Sequence, residues 1–147
     1  MEPRQAFRYA ERCLYGYPES CVRLESLKKV LEELRGGGSV RGQSYEARAG
    51  GGVSDPVAVR AQRVLDTENE IRRLEAETMP IALIKRDLTS SYVLPNSSKD
   101  MMGKVLMLFY FGRNRNAEVA AALGMSERNV YRVRCALVRS VIRGMGL

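Results

Sequence analysis

The sequence predicts an all-α fold, and two observations lead to that prediction. Apolar residues recur at threes and fours over most of the 147-residue chain, which is the spacing of one helix face. No stretch alternates apolar and polar residues for long enough to predict a strand. The expected segments are N-terminal helices over 1–35, a linker over 36–54, a long helix over 55–94 and a small helical bundle over 95–147.

The N-terminal segment is expected to hold two helices. The first runs from Arg4 to Tyr15, and Gly16-Tyr17-Pro18 predicts a break after it, because proline lacks the N–H that a helix interior uses. The second begins near Ser20 and ends before Gly36-Gly37-Gly38. The apolar faces of the two helices are formed by Phe7, Ala10, Leu14, Val22, Leu24, Leu27, Val30, Leu31 and Leu34.

The middle of the chain predicts a flexible linker and then a long helix. Seven of the 19 residues from Gly36 to Ser54 are glycine, and almost none is large and apolar. Ser54-Asp55-Pro56 is a helix-start signal, and the helix is expected to run to about Thr78. Pro80 predicts a break, which leaves Ile81 to Tyr92 as a kinked continuation or a separate helix. The two long helices are expected to form an antiparallel hairpin whose exposed face supports self-association as a dimer.

Composition excludes several classes of site. The chain has no histidine, so Ser-His-Asp, Cys-His and His-metal sites are impossible. The three cysteines have no CxxC spacing and are expected to be reduced thiols, with no metal or cofactor. A nuclease or recombinase is a further alternative, because Glu68, Glu70, Glu75 and Glu77 cluster on one helix, but the arginines between them predict a salt-bridged surface. We therefore do not expect an enzyme.

Hydropathy excludes a membrane span, because the longest uncharged apolar run, from Val105 to Phe111, is far below the roughly 20 residues that a span requires. The charged start of the chain has no apolar stretch behind it, so no secretory signal is expected. The expected location is the cytoplasm.

Positive charge is concentrated at the C-terminal end of the chain. Residues 99–147 hold nine basic and three acidic side chains, whereas residues 1–98 hold 15 and 14. Such asymmetry is typical of proteins that bind a polyanion. Charge alone does not distinguish DNA from RNA or from an anionic lipid.

The pattern within this basic segment predicts a helix-turn-helix. An apolar helix from Met101 to Phe111 is followed by a turn at 112–114, and Asn114 or Asn116 is placed to cap the next helix. Gly124 stands where a helix ends in a left-handed residue, and Ser126 is placed to cap the helix after it. Two helices joined so tightly are typical of a motif whose second helix enters the DNA major groove.

The second helix of this motif, from Glu127 to about Arg143, is amphipathic. Its apolar residues Val130, Val133, Leu137 and Val141 fix one face to the core, and arginines occupy the opposite face. Residues of its first turns are placed to read bases, and the later arginines and those of the preceding loop are placed to meet phosphates. An ordinary solvated basic surface is the alternative interpretation. The predicted DNA-binding residues are Arg113, Arg115, Ser126, Arg128, Asn129, Tyr131, Arg132, Arg139 and Arg143.

Three stretches of this segment resemble region 4 of bacterial sigma factors: 104–111 (KVLMLFYF), 117–126 (AEVAAALGMS) and 130–134 (VYRVR). The whole layout, with its N-terminal helices, glycine linker, long charged helix and sigma-like end, resembles the RinA/ArpU family of phage and prophage late-gene regulators. The resemblance implies a sequence-specific activator that binds double-stranded DNA in the bacterial host and contacts host RNA polymerase. One departure is the polar run Arg113-Asn114-Arg115-Asn116, where region 4 sequences more often have an apolar or aromatic residue.

A phage terminase small subunit is the alternative function. Such proteins also combine a helix-turn-helix with oligomerising helices, and they recognise a packaging site instead of a promoter. The C-terminal position of the motif in this chain favours the regulator.

Overall fold

The computed structural model describes residues 1–37 and 56–147, and these residues form five α-helices and no strand, which confirms the all-α prediction. Most of the predicted linker and the Ser54-Asp55 helix start lie outside the described residues. None of the helices in the described ranges is both long and apolar enough to cross a membrane. The helices are α1 (Pro3–Glu32, extended by a π-helical turn, Glu33–Gly37), α2 (Pro56–Leu88), α3 (Ser98–Val105, extended by a π-helical turn, Leu106–Phe111), α4 (Asn116–Leu123) and α5 (Glu127–Met145).

The predicted break at Gly16-Tyr17-Pro18 is wrong, because α1 continues through Pro18. An interior proline costs a helix roughly 3 kcal/mol. Tertiary packing next to the proline offsets this cost: the Tyr15 ring meets the Tyr110 ring edge-on with 4.9 Å between centroids, and Tyr17 stacks on Phe111 at 5.1 Å. The helix is therefore anchored to the core immediately before the proline.

The predicted break at Pro80 is also wrong, as is the predicted end near Thr78. α2 is one helix as far as Leu88, so the continuation is the correct one of the two alternatives for the residues after Pro80. Packing again explains the difference, because Thr78, Ile81 and Leu88 are all buried on either side of the proline.

The described residues divide into two compact units. The second unit, residues 20–75, joins part of α1 to part of α2 by side-chain ion pairs, among them Arg35 with Glu68, and Arg23 with Glu70 at 3.4 Å. Ile71 and Leu74 of α2 are its buried apolar residues, and Leu24, Leu27, Leu31 and Leu34 of α1 are half-buried.

The acidic cluster of α2 is a salt-bridged surface, as predicted. Glu68 also pairs with Arg72, and Glu70 also pairs with Arg73. Glu75 pairs with Lys28 at 3.4 Å.

The first unit, residues 1–19 and 76–147, contains the main core. Ala10 and Leu14 of α1 are buried in it as predicted, together with Ile81 of α2. The largest fully buried side chain is Tyr110. The core therefore draws on all five helices, and it is completed by Leu88, Val105, Leu106, Phe109, Val119, Ala120, Val130, Leu137, Val138 and Val141.

The start of α3 is held by a side-chain cap. Ser97 is the N-cap residue, and its Oγ accepts a hydrogen bond from the Asp100 N–H at 3.2 Å. The helix begins at Ser98, three residues before the predicted Met101.

Candidate nucleic-acid interface

The turn between α4 and α5 has the geometry that the sequence predicted. Gly124 adopts the left-handed conformation with φ of +63°, and the Met125 N–H donates to the Ala120 carbonyl at 3.0 Å. The Ser126 hydroxyl accepts a hydrogen bond from the Asn129 N–H at 3.1 Å, which caps α5. Hydrogen bonds therefore hold both ends of the turn, and the turn itself is short: only residues 124–126 separate the two helices.

The entry to α4 differs from the prediction that Asn114 or Asn116 caps the helix. The N-cap residue is Arg115, whose N–H meets the Glu118 carboxylate at 3.4 Å. Asn116 is already helical, and its amide donates to the Glu127 carbonyl at 3.3 Å, while the Asn114 amide donates to the Leu108 carbonyl at 2.9 Å. The Asn116 amide thus links α4 to the start of α5, the Asn114 amide holds the end of the π-helical turn, and neither side chain caps α4.

The inner face of α5 is apolar, as predicted. Val130, Leu137 and Val141 are fully buried, and Val133 is half-buried. Val138 is also fully buried and was not among the predicted set, since its position lies at the edge of the predicted stripe. This packing fixes the rotation of α5 about its own axis and so decides which residues face outward.

The outer face of α5 is a row of arginines, which we call the arginine row: Arg128, Arg132, Arg139 and Arg143. At 100° per residue these positions fall within an arc of about 60°. All four are exposed, and within the described residues none pairs with a carboxylate. A hydrogen bond joins the Arg143 guanidinium to the Ser140 hydroxyl at 3.1 Å.

Comparisons with protein families, with curated proteins and with solved structures find no match to this chain. The geometry of the site must therefore support any functional conclusion.

Two other predicted contact residues flank the arginine row. Asn129 and Tyr131 are both exposed, Tyr131 by 56%. A hydrogen bond with the Cys135 thiol raises the pKa of the Tyr131 hydroxyl. The ring of Tyr131 also lies 5.8 Å from the Arg134 guanidinium carbon. This arrangement keeps an aromatic face and a hydroxyl beside the arginines.

The two predicted arginines of the loop before α4 lie in different surroundings. Arg113 donates to the Glu19 carboxylate at 3.0 Å and to the Tyr15 carbonyl at 3.3 Å, so α1 holds its side chain. The side chain of Arg115 is 90% exposed, and its contact with Glu118 is 3.9 Å long. Arg115 is thus available to a ligand, whereas Arg113 must first leave Glu19.

Sequence reasoning counted Arg134 among the C-terminal arginines without giving it a role, and it proves to be structural. Its side chain is only 19% exposed and donates to the Glu11 carboxylate at 2.9 Å. The sequence did contain a signal for this: Arg134 is four residues from both Val130 and Val138, which places it at the inner face of the helix.

Within the described ranges, no cluster of side chains forms a metal site. These residues contain no group of three or more histidine, cysteine or carboxylate side chains that could hold a metal ion. The cysteines 13, 21 and 135 are half-buried free thiols. The arrangement is suited to binding an anion through exposed guanidinium groups.

Proposed function

We propose that this protein is a sequence-specific, double-stranded-DNA-binding transcription regulator and not an enzyme. The single observation that carries the proposal is that four exposed arginines, none paired with a carboxylate within the described residues, lie in one narrow arc of the helix that follows the tight turn. In the same unit, Arg113, Arg115 and Arg134 have carboxylate partners, whereas the arginine row, like Arg4, Arg8 and Arg12 of α1, has none within the described residues. Exposed like charges repel each other, and a polyanion removes that repulsion.

The proposed binding mode is that of a helix-turn-helix. The short turn at 124–126 and the apolar inner face of α5 support it, because together they present the start of α5 outward. Arg128, Asn129, Tyr131 and Arg132 would then reach base edges in the major groove, where arginine recognises guanine and asparagine recognises adenine. Arg139 and Arg143 would meet phosphates, since they lie two to three turns further along the helix.

The biological setting is proposed from the resemblance to sigma region 4 and to the RinA/ArpU family. On that basis the protein acts in the cytoplasm of a bacterial host, activates late phage or prophage genes and contacts host RNA polymerase. Self-association as a dimer is part of the proposal, because paired helix-turn-helix motifs bind half-sites about 34 Å apart.

Selection of genomic DNA tests the proposal. The purified full-length protein would be used to capture fragments of the source genome, prophages included, at about 0.15 M salt, and the retained fragments would be sequenced. The double variant Arg128→Ala/Arg132→Ala is expected to lose the enriched site. Its matched control is Arg63→Ala/Arg86→Ala, which removes the same charge from exposed positions of α2 and is expected to keep the site.

The identity of the enriched site decides between the two functions. A short site upstream of a morphogenesis or packaging operon supports the late-gene regulator. A site inside or beside the terminase genes, without a promoter, supports the terminase small subunit instead. Equal loss in both double variants would mean that net charge alone drives binding, and the sequence-specific proposal would be wrong.

A further inference from the structure

The first unit has an apolar groove that the DNA proposal does not use. It encloses about 500 Å³ between the end of α2, the loop after it, α3 and the end of α4. Met107 on its wall is 43% exposed. We call this the Met107 groove, and its apolar lining is Leu88, Val93, Met107, Leu108 and Leu123.

Two exposed apolar side chains stand next to the Met107 groove. Tyr92 is 92% exposed and Leu94 is 73% exposed, and we call this pair the knob. The residue between them, Val93, lines both the groove and the adjoining depression that contains the knob. The knob and the groove are therefore neighbours on one surface.

Hydrogen bonds hold the knob in place. The Tyr92 N–H donates to the Ser90 hydroxyl, and the Val93 N–H donates to the Ser90 carbonyl, both at 3.2 Å. The Leu94 carbonyl accepts from the Ser97 hydroxyl at 2.6 Å. Because hydrogen bonds fix the backbone on both sides of the loop, burial of the knob costs little backbone conformational entropy.

The charges around this surface favour a second copy of the chain. The first unit carries 14 basic and eight acidic residues, a net charge of +6, so most of its surface repels another copy. The rim of the groove and knob is neutral, because Asp87 pairs with Lys99 at 3.3 Å and Asp100 pairs with Lys104 at 3.1 Å. Two such rims carry both signs and can exchange their ion pairs without net repulsion.

We propose that two copies of this chain associate by inserting the knob of each into the Met107 groove of the other. A two-fold contact of this kind requires a knob and a groove side by side on one surface, because each residue pair then occurs twice. One reciprocal contact buries both the exposed pair and the groove. This contact rests on the self-association included in the proposed function, it requires no DNA, and it differs from association through the α1 and α2 helices of the second unit.

Sedimentation of the full-length protein without DNA tests this contact. The wild type is expected to be a dimer at micromolar concentration. Leu94→Asp and Met107→Lys are each expected to raise the dissociation constant at least about tenfold. Both side chains are exposed, so circular dichroism should show an unchanged helix content.

Mixing the two variants supplies the decisive observation. In the mixed dimer one knob-in-groove contact is intact, and the altered contact places the carboxylate introduced at position 94 against the ammonium group introduced at position 107. We expect the mixture to dimerise more tightly than either variant alone, because the knob of one copy then meets the unaltered Met107 groove of the other. The matched control is Leu65→Asp, at a 47% exposed position of α2 in the second unit, and it is expected to remain a dimer.

The opposite results would overturn the proposal. A wild type that stays monomeric at high micromolar concentration would leave the groove to a partner of different chemistry. A dimer that is lost in Leu65→Asp but kept in Leu94→Asp would assign self-association to the long helices instead. Failure of the mixed variants to rescue each other would exclude the reciprocal geometry.

Discussion

The guanidinium carbon of Arg134 lies 3.8 Å from the centre of the Phe109 ring. At this distance the cation rests on the aromatic face, while one guanidinium nitrogen donates to Glu11 at 2.9 Å. The Tyr110 hydroxyl donates to the same Glu11 oxygen at 2.8 Å. One carboxylate therefore ties α1 both to α5 and to the π-helical turn that follows α3.

Removal of this carboxylate is expected to destabilise the first unit. Glu11→Ala leaves the Tyr110 hydroxyl and the Arg134 guanidinium without their acceptor, and we expect a loss of about 1–3 kcal/mol in the free energy of unfolding. Glu11→Gln keeps an acceptor oxygen and should lose less. Chemical denaturation measures both, with the exposed Glu25→Gln as a control that should change nothing. Equal stability of Glu11→Ala and the wild type would show that the contact is energetically neutral.

Tyr110 predicts a loss of stability at alkaline pH. Burial raises the pKa of Tyr110 above its ordinary value, and the hydrogen bond to Glu11 acts in the same direction. The unfolded phenol ionises near pH 10, so the stabilisation is complete below about pH 10 and declines as the pH rises beyond it. Unfolding measured on both sides of pH 10 should show a smaller decline in Tyr110→Phe. The exposed Tyr92→Phe should decline as the wild type does, and the same slope in all three proteins would contradict the assignment.

Because Gly124 adopts the left-handed conformation, a side chain at this position is expected to lower the free energy of unfolding. No atom lies within 4 Å of the position that a Cβ would take, so Gly124→Ala meets only backbone strain. We expect Gly124→Ala to lower the free energy of unfolding by about 1–2 kcal/mol. Gly36→Ala is the matched control, because Gly36 has the same open surroundings without a positive φ. A loss of equal size in Gly36→Ala would mean that the cost does not arise from the turn.

Arg132 is expected to read a base. Arg132→Ala should weaken binding to the selected site by about 1–3 kcal/mol and relax the preference at one position of that site. Binding measured against a set of single-base variants of the site reveals such a change. Weakening that is uniform over all sequences would make Arg132 a phosphate contact.

Arg139 is expected to meet a phosphate, so its removal should reduce the salt dependence of DNA binding. The slope of log K against log salt should become shallower by about one in Arg139→Ala, with the sequence preference unchanged. Titrations at several salt concentrations measure the slope. The exposed Arg86→Ala should leave it as in the wild type, and a changed base preference in Arg139→Ala would move this residue to the base-reading group.

The sequence could predict those features that depend on neighbouring residues. Gly124 and Ser126 lie in a turn held by contacts within five residues, and the apolar spacing of α5 fixes its buried face, so both predictions are confirmed. The helix breaks predicted near Pro18 and Pro80 are wrong, because both helices continue through the proline. The local cost of each proline is offset by packing against residues far along the chain, which a local pattern does not contain.

Within the candidate site, the spacing of Arg134 indicates the inner face of α5, but its ion-pair partner could not be predicted from neighbouring residues. Its partner Glu11 is 123 positions away, so charge counting grouped it with the exposed arginines. The outward position of the arginine row could be predicted from the helix period alone, and all four side chains are exposed.

The core contains residues from both ends of the chain, and this has a practical consequence for truncated proteins. The hydrogen bond between Glu11 and Tyr110 joins residues 99 positions apart, and Leu14 and Ile81 fill the same core as Val130 and Leu137. A fragment that starts at residue 95 would lack α1 and α2 and would leave Tyr110 uncovered. During synthesis the first turns of α1 must likewise wait for α5, the last of these helices to leave the ribosome, before their buried face is covered. Expression of the arginine-bearing helix in a stable form therefore requires residues from both ends of the chain.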